Sequence, residues 1–138
     1  MKKKIFLFFI LTFLLNLFWE VWHSLLYNWN KLPLQNDVYF YILRILYSTL
    51  GDLILLGIIF LLLSIKNMNI KWLNKPSKLD YILIIFSGLV LSIFIEFRAL
   101  TEGRWFYNDL MPTILGVGIT PLLQLFTTFI FALWLIEE

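Results

Sequence analysis

The chain of 138 residues contains no cysteine and little charge. The absence of cysteine excludes disulfide bonds, thiolate nucleophiles and cysteine-ligated zinc sites. Charged residues make up 14% of the sequence and hydrophobic residues 61%, whereas roughly 25% of an ordinary soluble domain is charged. Disordered chains are polar and highly charged, so this composition also excludes disorder. A net charge of only +2 gives no support for nucleic-acid binding.

Four long apolar stretches predict an all-α, polytopic membrane protein that forms a four-helix transmembrane bundle. A helix needs about 20 residues to cross about 30 Å of hydrocarbon, and each stretch is long enough. Their lengths and the lack of two-residue alternation exclude the strands of a membrane barrel. The whole chain, 1–138, is therefore expected to form a single domain. The expected spans are 5–27, 41–65, 79–99 and 112–136.

The distribution of the lysine residues predicts the orientation of the bundle in the membrane. Lys2, Lys3 and Lys4 precede the first span, and four more lysines lie between the second and third spans. Seven of the eleven Lys and Arg residues thus lie on one side. The positive-inside rule places this side in the cytoplasm. We therefore expect a multi-pass protein of the cell membrane with both termini cytoplasmic and with loops 28–40 and 100–111 facing outward.

Polar residues recur on one face of each predicted helix, at about 100° per residue. A face toward lipid would not carry them, so we expect all four faces to turn inward and to line a polar interior. The small residues among them allow helices to approach closely and to form hydrogen bonds. In chain order the four stripes are Thr12, Asn16, Glu20, His23 and Tyr27; Arg44, Ser48, Gly51 and Asp52; Gly88, Ser92, Glu96 and Ala99; and Thr113, Gly116, Thr120, Gln124, Thr127 and Thr128.

Four ionisable residues in these stripes are the candidate catalytic residues. A charge at the bilayer centre costs about 2.5–3.5 kcal/mol on insertion scales, so ionisable groups inside spans are functional candidates by default. The four come from three helices and are all expected in the outer half of the membrane. Asn16 and Gln124 lie deeper and are expected to form the floor of a cavity. The candidates are Glu20, His23, Asp52 and Glu96.

Three interpretations of this cluster remain open. Glu20 and His23 form a Glu-x-x-His pair, a spacing with which two side chains on one helical face reach one metal ion, although the chain has a single histidine. Without a metal, buried carboxylates and a histidine can exchange protons with a substrate, or relay protons in a transporter. In the third interpretation the groups form a neutralised structural network. The sequence identifies no cofactor.

The segment 95–121 carries charges of alternating sign and aromatic residues next to the outer loop. Arg98 and Arg104 in this segment can hold an anionic headgroup, most naturally a phosphate, and aromatic rings favour the headgroup level. This segment is therefore a candidate mouth for a lipid-like ligand. Pro121 is expected to kink the fourth helix, because proline lacks an amide donor. The candidate binding residues are Asn16, Arg44, Arg98, Arg104, Trp105, Tyr107 and Gln124.

Glu20, His23, Glu96 and Trp105, placed in short membrane helices, resemble the buried carboxylate sites of membrane isomerases and cyclases that act on sterol or carotenoid substrates. The resemblance implies acid/base chemistry on an isoprenoid-like molecule, and it includes no contiguous motif. The sequence thus favours lipid binding or lipid processing by intramembrane carboxylates. The alternatives are a metal-dependent enzyme, a proton-coupled transporter or channel subunit, and a structural or assembly subunit. Much apolar surface is left to the bilayer or to other subunits of an oligomer.

Overall fold

The computed structural model describes residues 1–31 and 33–137 and contains four long helices. Each helix is long and apolar enough to cross a membrane, as expected for a multi-pass membrane protein. Short 3-10 turns follow the first helix at Ser24–Leu26 and the second at Ile70–Asn74. The helices are α1, Lys2–His23; α2, Val38–Lys66; α3, Lys78–Thr101; and α4, Ile119–Glu137.

The helices alternate in direction around the bundle. The C-terminal parts of α1 and α3 and the N-terminal parts of α2 and α4 meet at one end, so each helix runs antiparallel to the next. α1 packs against both α2 and α4, and α3 packs closely against α4. Contact between α2 and α3 is the sparsest of the four neighbouring pairs. This leaves a gap in the wall of the bundle on that side.

An apolar core fills the half of the bundle opposite that meeting point. The Phe8 ring packs edge-on against Phe129, with centroids 4.9 Å apart, and lies 5.8 Å from Phe60. Trp72 stacks beside them, and its Nε1 donates a hydrogen bond to Ser64 Oγ at 3.0 Å. Phe8 and Phe129 are completely buried. Aromatic contacts of this kind add to the burial of apolar area, so this half of the interior is closed by packed rings.

Asp80 fixes the connection between α2 and α3. Ser77 and Asp80 form a capping box, in which the Ser77 amide donates to Asp80 Oδ2 at 2.7 Å and the Asp80 amide donates to Ser77 Oγ at 3.2 Å. The same carboxylate accepts from Lys66 Nζ at 3.0 Å and from Asn67 Nδ2 at 2.8 Å. The Ser-x-x-Asp spacing ahead of an apolar run is a sequence signal for this cap. It ties the end of α2 to the start of α3.

Three of the expected spans agree with the helices to within a few residues, but the expected start of the fourth at 112 is wrong. α4 begins at Ile119, and the residues before it form a hairpin of two short strands, β1 (Thr113–Ile114) and β2 (Val117–Gly118). Leu115 and Gly116 form the turn, with φ angles of 52° and 80°. Two central residues with positive φ are the mark of a type I′ hairpin turn.

Three further expectations are corrected, the first two by this hairpin. Pro121 lies in the first turn of α4, where a helix does not need its amide, so it helps to begin the helix and does not interrupt it. Thr113 and Gly116 are exposed in the hairpin and therefore do not extend the polar stripe of α4. Thr127 is exposed as well, whereas its neighbour Thr128 is buried, because consecutive helical residues point about 100° apart.

Candidate functional site

The two loops at the meeting point of the helix ends are joined to each other. Tyr27 and Tyr107 form an antiparallel bridge. Beside it, the amide of Asn28 donates to the carbonyl of Phe106 at 2.8 Å, and the amide of Asn108 donates back to the 3-10 turn after α1 at 3.0 Å. These backbone hydrogen bonds hold the loop after α3 across the end of α1. The joined loops cover one end of the bundle.

A cavity of about 540 Å³ lies beneath the joined loops. All four candidate catalytic residues line it. Asn16 and Tyr107 lie outside the lining but bond to side chains within it. Ser24, Tyr47 and Phe94 also line the cavity, although no sequence pattern marked them. The candidate binding residues in the lining are Arg44, Arg98, Arg104, Trp105 and Gln124.

The side-chain amide of Gln124 joins the polar groups at the deep end of the cavity. Its Nε2 donates to Glu20 Oε1 at 2.8 Å and to Asp52 Oδ2 at 2.7 Å, and it lies 3.2 Å from Asn16 Oδ1. Because both oxygens accept from the same nitrogen atom, the carboxyl groups of Glu20 and Asp52 lie next to each other. Two carboxyl groups in contact repel each other when both are ionised. The geometry is therefore that of a carboxyl pair, whose two members are placed to share one proton.

A short polar network continues below Gln124 and then ends. Asn16 Nδ2 donates to Thr128 Oγ1 at 3.1 Å and to the carbonyl of Thr12 at 2.8 Å. Thr128 Oγ1 donates to the carbonyl of Gln124 at 2.9 Å, and Thr12 Oγ1 donates to the carbonyl of Phe8 at 3.1 Å. The network thus ends at the aromatic rings of the apolar core. It supports the carboxyl pair from below.

Glu96 is held on the cavity wall by two residues of the loop after α3. The Tyr107 hydroxyl donates to Glu96 Oε2, and Trp105 Nε1 donates to the same oxygen at 3.3 Å. The Tyr107 oxygen accepts in turn from the Gly118 amide at 3.0 Å. Burial, and then the nearby Glu96 carboxylate, raise the pKa of the Tyr107 phenol, because both disfavour its charged form. Tyr107 therefore keeps its proton and remains a donor to Glu96.

His23 contacts α4 but retains one nitrogen without a partner. Its Nε2 lies 2.8 Å from Thr120 Oγ1, and its ring meets the edge of Tyr27 at a centroid distance of 4.9 Å. Among the described residues, neither His23 Nδ1 nor Ser92 Oγ has a hydrogen-bond partner. Both side chains line the cavity and are at least 96% buried. Buried polar atoms are normally paired, so the cavity has hydrogen-bonding capacity left over.

The metal-ion interpretation gains no geometric support from the described residues. Within residues 1–31 and 33–137, no three His, Asp or Glu side chains lie close enough together to hold one ion. Glu20 and His23 share a side of α1, but Glu20 bonds to Gln124 whereas His23 bonds to Thr120. The Glu-x-x-His pair is thus divided between two separate hydrogen-bond systems.

The three arginines at the cavity differ in their partners. Arg98 Nε lies 2.6 Å from one oxygen of Glu102, and Arg104 Nε lies 3.0 Å from the other. Arg44 forms no ion pair and donates no hydrogen bond within the described part of the chain. Its guanidinium lies 5.4 Å from the centre of the Trp105 ring, and that of Arg104 lies 5.5 Å from the same point. Arg44 is thus the cavity arginine without a carboxylate partner there, whereas Arg104 is ion-paired with Glu102 even though its Nε donates no hydrogen bond.

The cavity extends to the side of the bundle between α2 and α3. Tyr47 on α2 and Phe94 on α3 both line it, yet they are 74% and 62% exposed. Gly51 also lines it, and a Cβ atom at this position would meet no other atom within 4 Å. The exposed side chains nearby on these helices, such as Leu50 and Ile93, are apolar. The opening therefore faces the surface that a bilayer would cover.

The chain matches no protein-family model, and no curated protein or solved structure is significantly similar to it. Analogy to a known fold therefore contributes nothing to a functional assignment. A functional assignment therefore depends on the chemistry of the cavity. That chemistry consists of three carboxyl groups, one imidazole and three guanidinium groups around one volume.

Proposed function

We propose that this multi-pass membrane protein binds a small lipid-like or isoprenoid-like amphiphile and processes it by acid/base chemistry. The observation that carries the proposal is the cavity in which Glu20, His23, Asp52 and Glu96 meet. Polar groups inside spans are expensive and mark ligand sites or proton relays. The opening between α2 and α3 would let an amphiphile enter from the bilayer without passing through water.

The carboxyl pair is the proposed centre of proton transfer. Because Glu20 and Asp52 accept from the same Gln124 amide, their positions are fixed relative to each other, and a proton can pass between them with little rearrangement. His23 Nδ1 has no partner among the described residues, so it is available to exchange a proton with a ligand. Glu96, held by its two loop donors, supplies a further carboxylate on the opposite helix.

We place the cavity in the outer half of the membrane, with both termini in the cytoplasm. The start of α1 and the connection between α2 and α3 lie at the end of the bundle away from the cavity. These two segments carry seven lysines, which the positive-inside rule assigns to the cytoplasm. Trp29 and Trp105 line the cavity at the opposite end of the bundle. Aromatic side chains favour the membrane interface, which at this end would be the outer one.

The contacts weigh against the two other classes of function. A transporter or channel needs a polar route across the bundle, but the network below the cavity ends at Thr12, where the rings of Phe8 and Phe129 pack. A purely structural subunit needs a filled and paired interior. A cavity of about 540 Å³ with unpaired atoms on His23 and Ser92 does not fit that role.

The test is the substitution Glu20→Gln, which preserves size and hydrogen bonding but removes titration. We expect a protein that inserts and unfolds thermally like the wild type, or at a slightly higher temperature because a desolvated charge is gone. It should fail to complement a strain that lacks the gene. Glu137→Gln, the same change at an exposed position in α4, should complement fully.

Two outcomes would count against the proposal. A Glu20→Gln protein with full activity would remove the proposed centre of proton transfer, because a single carboxyl group at Asp52 cannot exchange a proton with an amide. A Glu20→Gln protein that unfolds at a clearly lower temperature than Glu137→Gln would indicate a structural role for the carboxyl pair.

A further inference from the structure

Arg44 brings into the cavity a positive charge that no carboxylate of the described residues pairs with. A guanidinium has five N–H donors in a planar fork, and none of those of Arg44 reaches an acceptor among residues 1–31 and 33–137. The side chain is partly buried, and its guanidinium lies 5.4 Å from the centre of the Trp105 ring. Contact with an aromatic face stabilises the cation, but it satisfies none of its hydrogen bonds.

The acidic groups of the cavity are in the opposite condition. Glu20 and Asp52 both accept from Gln124, and Glu96 accepts from two donors of the loop after α3. The carboxyl groups therefore already have donors, whereas the guanidinium of Arg44 still lacks acceptors. A ligand with a negatively charged group would supply the acceptors that Arg44 lacks. An amine would not, because it brings further donors and a second positive charge.

We propose that Arg44, supported by Trp105, binds an anionic headgroup, a carboxylate or a phosphate, of the amphiphile. The identification of the ligand as an amphiphile rests on the proposed function. This assignment differs from the sequence expectation, which gave the headgroup to Arg98 and Arg104, because both of those arginines share the carboxylate of Glu102.

The position of Arg44 on α2 also orients the ligand. Arg44 precedes Asp52 by eight residues on the same side of the helix, a rise of roughly 12 Å. A headgroup on Arg44 thus leaves space for the first carbon atoms of the ligand to reach the carboxyl pair. The remaining tail passes between Tyr47 and Phe94 into the surface that a bilayer would cover.

The test compares headgroups on one tail. The protein is placed in phosphatidylcholine nanodiscs, and binding is measured for dodecyl phosphate, dodecyl trimethylammonium and dodecyl maltoside, with inorganic phosphate as the probe without a tail. We expect dodecyl phosphate to bind most tightly and Arg44→Gln to weaken it by about tenfold or more, since a hydrogen bond to a charged group is lost. Arg44→Lys should restore part of the affinity, because it keeps the charge but not the fork.

The matched control is Lys31→Gln, which removes one positive charge at the same end of the bundle. Lys31 lies over the Phe106 ring, outside the cavity lining, so this variant should bind dodecyl phosphate like the wild type. The comparison of headgroups uses wild-type protein and therefore does not depend on the folding of any variant. If Arg44→Gln does not fold, Arg44→Lys still tests whether the guanidinium is needed.

The outcomes separate this inference from the function on which it rests. Tighter binding of the ammonium amphiphile, or equal affinity of Arg44→Gln and wild type for dodecyl phosphate, would overturn the inference and leave the proposed function standing. Equal affinity for inorganic phosphate and dodecyl phosphate would overturn the assignment to a lipid headgroup. If none of the three dodecyl compounds binds, the proposed function fails as well.

Discussion

The close approach of α3 and α4 at Gly88 predicts that Gly88→Ala destabilises the protein. The added Cβ would lie 2.9 Å from Cβ of Phe126 and 3.0 Å from its backbone nitrogen, whereas carbon atoms in favourable contact are about 3.5–4.0 Å apart. A rotamer change cannot move these obstructing atoms, so the two helices must separate. Overpacking of this kind costs about 1–3 kcal/mol, and the helix propensity of alanine over glycine offsets about 1 kcal/mol. We expect a net loss of about 1 kcal/mol in the free energy of unfolding.

Gly57→Ala is the matched control for Gly88→Ala. A Cβ atom at Gly57 meets no other atom within 4 Å, so alanine there should leave stability unchanged or raise it by up to about 1 kcal/mol. Thermal unfolding of both variants and the wild type in one detergent, followed by tryptophan fluorescence, gives the comparison. If Gly88→Ala is as stable as Gly57→Ala, then α3 and α4 do not approach each other in this way.

Three further predictions concern topology and local structure. Reporter fusions at the C-terminus and within 67–77 should both report a cytoplasmic position, and a periplasmic signal from either refutes the orientation. Leu115→Asn should raise the free energy of unfolding by about 0.5–1 kcal/mol, because Asn-Gly suits a turn with two positive φ angles; unchanged stability would contradict that turn. Asp80→Ala should lower the free energy of unfolding by about 2–3 kcal/mol, because the cap of α3 and the hydrogen bond from Lys66 are lost. Thermal unfolding no different from wild type would contradict this role of Asp80.

The four helices and the inward faces of most polar residues could be predicted from the sequence. Long apolar runs have few structural alternatives in a bilayer, and residues three or four apart share a helical side. Glu20 and His23 on one helix and Glu96 on another accordingly line one cavity. The depth of each group follows from the rise per residue, which is why groups from separate helices could be expected at one level.

The late start of α4 could not be predicted from hydropathy, because no charged residue interrupts the run from 112 to 136. The available signal was the pair of glycines. Gly116 has a φ of 80° in the hairpin turn, and a Cβ atom at Gly118 would lie 3.0 Å from the Met111 sulfur and 3.1 Å from the Tyr107 ring. Glycines with such requirements mark a turn and a close backbone approach, rather than the interior of a helix.

The particular partners within the site could not be predicted either. Tyr107 reaches Glu96, and Thr120 reaches His23 across the bundle, but a single sequence specifies which helical side turns inward and not which side chains face each other. The same limit applies to the arginines. The sequence predicted that Arg98 and Arg104 bind the headgroup. The packing of the loop after α3 shows that both arginines lie against Glu102 instead.

Native mass spectrometry of the protein extracted from its own membrane tests most directly whether the cavity holds an amphiphile. Gly51 lines the cavity with open space beside it, and Gly57 lies on the same helix outside the lining, so Gly51→Leu and Gly57→Leu form a matched pair. We predict that the wild type and Gly57→Leu carry a bound small amphiphile and that Gly51→Leu has lost it. A wild-type protein without such a molecule, or the same molecule retained by Gly51→Leu, would contradict the proposal.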